Sequence, residues 1–246
     1  MTLEDIILTA LILAAALLYS CVGHAGASGY LAAMALMGVS PAVMRPTALV
    51  LNILVALIAT ARYYQAGMLS WHLLWPLVLA SMPFAYLGGV LTLPGHIYKP
   101  LVGTMLVYAA WCSFRTANHT AHTVTARPHI SALLLAGAGL GFLSGITGVG
   151  GGIYLSPLLL FFRWAEVKAI SGIAAAFILV NSVAGLLGVI TSAPALPSAL
   201  PYWAVAAVVG GYAGAEYGSK HADNPTIQKL LAVVLLIAGA KMIATA

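Results

Sequence analysis

The chain has 246 residues, a mean hydropathy of +1.03 and a net charge of +5; 62% of it is hydrophobic and only 6% is charged. Soluble domains carry about 25% charged residues, so fifteen charged side chains do not cover a water-soluble globule of this size, and soluble enzyme folds are excluded. The ten Lys and Arg residues are scattered between apolar stretches, which is the pattern of membrane loops rather than of a nucleic-acid surface.

Uncharged runs of 39 residues (Ile6 to Met44), 36 (Tyr63 to Tyr98), 35 (Pro128 to Phe162) and 47 (Ala169 to Ala215) dominate the chain. A crossing helix needs about 20 apolar residues, so each run holds one or two crossings. The sequence reads as an all-α polytopic membrane protein. Glu4 and Asp5, rather than Lys or Arg, precede the first apolar stretch. That is the wrong flank for a cleaved signal peptide, so the first helix is expected to stay in the protein.

In chain order, the first apolar segment covers about Leu3 to Ser20. A Gly-rich break from Cys21 to Gly29 follows, then a short piece from Tyr30 to Met37. Longer segments span about Pro41 to Tyr64, Trp71 to Leu91 and Ile97 to Phe114. A polar stretch, Arg115 to His129, is the one region that resembles a soluble linker. The order then repeats: Ile130 to Ser144, a Gly-rich break to Gly152, a short piece from Ile153 to Phe162, then about Ala165 to Ile190, Pro201 to Gly218 and Ile227 to Ala244.

A shift of 124 residues pairs Ser20 with Ser144, Gly26 with Gly150, Tyr30 with Tyr154, Leu31 with Leu155 and Thr47 with Ser171. The chain therefore divides into a first membrane repeat (1–116), a polar linker (117–129) and a second repeat (130–246). Two halves with matching interrupted segments point to a transporter site. If each break lies within one crossing, the halves are parallel and the basic residues divide six to four between the two sides. If each break turns a hairpin, the halves are inverted and the division is seven to three. Lys and Arg concentrate on the cytoplasmic side. That preference selects inverted repeats, with both termini outside and the central loop inside.

The breaks carry the chemistry. Gly145-Ile-Thr-Gly-Val-Gly-Gly-Gly152 cannot be the interior of a stable helix, since each glycine costs about 1 kcal/mol against alanine. Non-helical backbone at membrane depth must be satisfied by protein or by a water-filled cavity. Short helices starting near Gly29 and Gly152 would point free N–H groups and positive dipole ends into such a cavity, which suits an anion. The plainer reading is close packing of small residues between helices.

The stretch Gly141-Phe-Leu-Ser-Gly-Ile-Thr-Gly-Val-Gly-Gly-Gly-Ile-Tyr-Leu-Ser-Pro-Leu-Leu-Leu160, followed by Ala169-Ile-Ser-Gly172, resembles the TauE/SafE family of sulfite and sulfonate exporters. A weaker copy runs from Gly23-His-Ala-Gly-Ala-Ser-Gly29 to Pro46-Thr47, with His24 and Ala27 where glycines are more usual. The resemblance implies transport of a small, often sulfur-containing anion through the inner membrane, on a duplicated module covering nearly the whole chain. It does not name the solute.

The substrate-site candidates are His24, Gly26, Ser28, Gly29, Arg45, Thr47, Asn52, Thr147, Gly148, Gly150, Gly151, Gly152, Ser171 and Asn181. His24 is ionisable at membrane depth and suits a proton relay or a charge for an anion, or equally a neutral imidazole bonded to the break's backbone. Arg45 offers a planar fork for a sulfonate or carboxylate, against the reading of an ordinary interfacial arginine. Asn52, Asn181 and Ser182 lie within apolar helices, where polar side chains often only join helices. Other features read more simply. His119 and His122 lack acidic or thiolate partners and read as a solvated loop, not a metal site. The Asn118-His119-Thr120 sequon falls in that loop. Glu216 can pair with Lys220 at i,i+4. Trp71, Trp75, Trp111, Trp164, Tyr202 and Trp203 fit interfacial belts.

A transporter competes with two other classes. An intramembrane enzyme needs a nucleophile–base set, a metal cluster or a carboxylate pair, and the nearest approach is Cys21 beside His24. A channel favours a symmetric pore over two unequal repeats. No phosphate-binding G-x-x-x-x-G-K-[ST] loop occurs, so energy would come from the solute's own gradient or an ion gradient, with a proton as a possible coupling ion. No cofactor is expected.

Overall fold

A computed structural model describes residues 3–116, 128–191, 196–220 and 225–245. These form ten α-helices and, among the described residues, no strand: α1 Leu3–Ser20, α2 Ala27–Leu36, α3 Pro41–Gln65, α4 Trp71–Val90, α5 Gly95–Thr116, α6 Ile130–Thr147, α7 Gly152–Phe161, α8 Val167–Ile190, α9 Leu200–Lys220 and α10 Pro225–Ala244. Five of them, Leu3–Ser20, Pro41–Gln65, Trp71–Val90, Ile130–Thr147 and Lys168–Ile190, are long and apolar enough to cross a membrane. His119, His122 and the sequon lie outside the described residues.

Local chemistry sets several boundaries. Glu4 and Asp5 occupy the first turn of α1, where the helix dipole favours negative charge. Pro41 opens α3 at a position whose N–H has no helical partner. Gly148 closes α6 in the left-handed conformation, so Gly145, Ile146 and Thr147, read in the sequence as part of the second break, form the last turn of this helix. The first break is shorter than the sequence suggests, because α2 already starts at Ala27. Ser28 and Gly29 therefore lie in the first turn of a helix rather than in irregular backbone.

Glycine ladders join the helices. A Cβ on Gly137, Gly141 or Gly145 of α6 would fall 2.4, 2.4 or 2.2 Å from the carbonyl oxygens of Leu77, Ser81 and Ala85 on α4. A Cβ on Gly210, Gly214 or Gly218 of α9 would fall 2.4, 2.1 or 2.2 Å from those of Leu13 and Leu17 on α1 and of Cys21 just past its end. Helices in hydrocarbon gain little from apolar burial, so close approach through small residues drives their association. Both ladders rise in step, so α4 runs parallel to α6 and α1 parallel to α9.

Other contacts set the remaining directions. Val55 meets Gly211, and Arg62 pairs with Glu216, which makes α3 parallel to α9. Asn52 meets Ser182 and Leu49 lies beside Gly185, so α3 and α8 are antiparallel. Lys99 bonds the Thr245 carbonyl and Gly103 packs on Gly239, so α5 and α10 are antiparallel. Since α1 and α3 both run parallel to α9, the intervening α2 must return to the side from which α1 started. Gly29 packs against Ala15 and Tyr19, as a returning helix requires.

The outer surface is apolar, as a lipid-facing surface must be. Trp71, Trp75, Trp111 and Tyr202 are exposed near helix ends. Trp203 is not part of such a belt: it is buried in the core. Successive residues on a helix diverge by about 100°, so Tyr202 faces outward and its neighbour inward. The expected Lys220–Glu216 pair is present, and Glu216 also takes Arg62.

Candidate functional site

The second break begins where α6 stops. Gly148, Gly150 and Gly151 all have φ near +80°, a region that costs any residue with a Cβ roughly 1 kcal/mol or more. A side chain at Gly150 would also strike Asn52 Nδ2 at 2.6 Å and Ile178 at 2.8 Å. The glycines are therefore needed both for the backbone path and for the approach of α3 and α8. After them α7 opens at Gly152, with its first N–H groups free of helical partners.

Polar groups surround this break. Asn52 is fully buried; its Nδ2 donates to the Val149 carbonyl at 3.3 Å and to Ser182 Oγ at 3.2 Å. Tyr98 Oη donates to the Thr147 carbonyl at 2.9 Å, and Thr147 Oγ1 donates back to Leu143. The buried hydroxyls of Thr47 and Ser144, the Asn52 Oδ1 and the Asn181 Oδ1 have no protein partner. Asn181 Nδ2 bonds within its own helix, to Phe177.

The first break lies between α1 and α2. Gly23 and Gly26 have φ of 77° and 101°, and Tyr30 Oη donates back to Ala25. Ser171 of α8 bonds the Val22 carbonyl at 3.4 Å, and Tyr63 of α3 bonds the Ser20 carbonyl at 3.1 Å.

His24 joins the two breaks. Its Nδ1 lies 3.2 Å from the Val22 carbonyl and its Nε2 3.2 Å from Ser156 Oγ on α7. Ser156 Oγ is also 3.2 Å from the Gly152 carbonyl. Two proton arrangements satisfy this chain. A neutral imidazole donates from Nδ1 to Val22 and accepts the Ser156 hydroxyl at Nε2. An imidazolium donates from both nitrogens, and the Ser156 hydroxyl turns to Gly152. Ser156 stands one turn into α7, so His24 reaches the flank of that helix just beyond its opening residues.

Arg45 does something else. It is buried, and each of its three nitrogens donates to backbone carbonyls. Nε bonds Gly145 at 3.0 Å, Nη1 bonds Leu91 at 2.7 Å, and Nη2 bonds Gly88, Gly89 and Gly145 at 2.6, 2.8 and 2.6 Å. It is not an interfacial arginine. It caps the C-terminal turns of α4 and α6, whose last carbonyls lack helical partners, and Gly148 rests on its Cγ. Among the described residues, no group of three His, Cys, Asp or Glu could hold a metal ion.

The structure thus gathers His24, Asn52, Thr147 and the glycines of both breaks, and adds Tyr98, Ser156 and Ser182. Ser156 stands in the Tyr-Leu-Ser-Pro run after the second break, where its helical register toward His24 is invisible without the fold. Tyr98 sits in the first turn of α5, and no sequence signal marks it.

The family model described as sulfite exporter TauE/SafE matches residues 8–242. A probable membrane transporter protein of Sinorhizobium fredii is 40% identical over 231 residues, covering 93% of this chain and 94% of that protein. A probable membrane transporter protein of Methanocaldococcus jannaschii is 26% identical over 141 residues, 56% of this chain and 52% of that one. No solved structure matches. With its apolar helices and a match over nearly its whole length, the chain is an integral protein of the bacterial inner membrane, a transporter and not an enzyme, and it belongs to the sulfite exporter TauE/SafE family.

Proposed function

We propose that this protein is a secondary transporter moving a small sulfur-containing anion, sulfite or an organosulfonate, by alternating access between inverted repeats 1–116 and 130–246. The observation that carries the reading is the meeting of the two breaks at His24, Ser156 and Gly152. There His24 and Ser156 stand one turn from the N–H groups that open α7. A desolvated anion is held by such dipoles without a fixed countercharge, so release costs less than from a buried guanidinium, and Arg45 is occupied elsewhere.

Helix packing supports inversion. Exchanging α1–α5 for α6–α10 turns the α1–α9 pair into α6–α4, and α3–α9 into α8–α4, all of which pack together. The self-paired helices α3–α8 and α5–α10 are antiparallel. An axis in the membrane plane produces antiparallel copies, and an axis along the normal produces parallel ones. The family description names sulfite. Carboxylate transport is the second reading, since backbone N–H groups donate to either anion.

The test is flux into liposomes containing the purified protein, with sulfite, sulfonates and carboxylates compared with and without a pH gradient. Sulfite or sulfonate flux above carboxylate flux is expected. Absence of flux for every anion would falsify the reading.

A further inference from the structure

A groove of about 650 Å³ opens on the outer surface between the C-terminal halves of α5 and α7. Tyr108, Trp111, Phe161 and Phe162 line it, and Arg115 and Arg163 stand at its mouth. Its aromatic residues are 44, 52, 80 and 48% exposed, a wide apolar surface that lipid alone would cover in a membrane. The corresponding helix pair in the other half, α10 and α2, packs directly, and Lys241 Nζ bonds the Leu36 carbonyl there at 2.6 Å. The α5–α7 pair leaves this groove open.

The charges select the occupant. Arg115 lies 4.9 Å over the Trp111 ring. Among the described residues neither Arg115 nor Arg163 is in an ion pair, since both salt bridges fall to Glu216. Arg163 is held with φ at 53°, the one positive value among the described non-glycine residues. Both guanidiniums sit where their helices end and line the apolar slot. We infer that this groove binds an anionic phospholipid, with an acyl chain against the aromatic side chains and the phosphate between Arg115 and Arg163. Arg is suited to bidentate phosphate contact, and basic pockets between crossing helices take anionic headgroups. The inner end of the groove touches the transport machinery, because Tyr108 stacks on Tyr154 of α7 at 6.3 Å.

Trp111 provides the readout. The full-length protein in mixed micelles is titrated with brominated phosphatidylglycerol or brominated phosphatidylcholine, and tryptophan quenching is compared with that of Trp111→Phe, which isolates the Trp111 signal. Phosphatidylglycerol should quench Trp111 at about thirtyfold lower lipid fraction than phosphatidylcholine, given about 1 kcal/mol for each of the two basic residues near a headgroup. Arg115→Gln/Arg163→Gln should abolish that preference while leaving the unfolding midpoint unchanged. Equal quenching by the two lipids, or a preference that survives in the double variant, overturns the proposal. So does displacement by soluble glycerol phosphate at matched concentration, which would make the site one for free phosphate. Failure of both lipids to quench Trp111 would mean that protein covers the groove, and also overturns it.

Discussion

Arg45 is the residue on which the terminal ends of α4 and α6 depend. Its guanidinium joins the carbonyls of Gly88, Gly89, Leu91 and Gly145, and each buried carbonyl left without a donor costs about 1 kcal/mol or more. Arg45→Met should therefore destabilise the protein by about 3 kcal/mol or more, while Arg45→Lys, keeping charge and one or two bonds, should recover part of the loss. Thermal unfolding in detergent reads this, and an unchanged midpoint for Arg45→Met would contradict the capping role. His24 carries the opposite kind of prediction, one about function rather than folding. A bound anion favours the imidazolium and so recruits a proton, which means that anion affinity should rise as pH falls from about 8 to about 6. His24→Gln retains hydrogen bonding without titrating and should flatten that profile. Binding measured across the range decides it: an equally steep profile in His24→Gln would leave His24 as a neutral link between the breaks.

At the scale of elements, the glycine ladders decide how closely helices approach. A Cβ on Gly145 would lie 2.2 Å from the Ala85 carbonyl oxygen, which is backbone and cannot swing aside. Gly139, on the same helix, has nothing within 4 Å. Gly145→Ala should push α6 off α4 and cost about 2 kcal/mol, as overpacking does. Gly139→Ala should be neutral or stabilising by up to about 1 kcal/mol, because alanine is the better helix former. Equal unfolding midpoints for the two variants would show that the ladder does not set the packing. This contrast marks what was legible in the chain. Apolar runs and Pro or Gly boundaries locate nearly every helix, and the clustered glycines mark the second break but overextend it, since α6 runs through Gly145, Ile146 and Thr147 and α7 takes Gly152. The first break is overestimated, because α2 takes Ala27, Ser28 and Gly29 into its first turn once Gly26 has turned the chain. Arg45 and Trp203 are misread for a common reason. Burial depends on which neighbour a helix face meets, and periodicity is silent about that in a sequence that is apolar on all sides. Tyr98 and Ser156 join the site through partners roughly 50 and 130 residues away in sequence, a distance no local pattern spans.

For the whole molecule, the helix directions convert charge positions into an orientation in the membrane. Leu3 begins α1 and Thr245 follows α10 at one face, which also holds Lys99 and Lys241. Arg62, Arg115, Arg163, Lys168, Lys220 and Lys229 lie toward the opposite face, where α3, α5 and α9 end and α8 and α10 begin. Arg45 is counted with the terminal face in the sequence, but it is buried on helix carbonyls and does not act as a loop charge. Among the described residues the division at the surface is thus six to two, sharper than the seven to three of the sequence count. Positive loops remain cytoplasmic, so the termini are expected outside and the basic face inside. His96 in the first turn of α5 and Lys168 in the first turn of α8 are both exposed and lie on opposite faces, while native Cys21 and Cys112 are buried. In intact cells a membrane-impermeant maleimide should label His96→Cys, and should label Lys168→Cys only after permeabilisation, with the unaltered protein as the blank. The reverse pattern would mean that the protein inserts the other way up. Labelling of both variants before permeabilisation would mean that the two residues share a face, which the antiparallel α3–α8 and α5–α10 pairs do not allow.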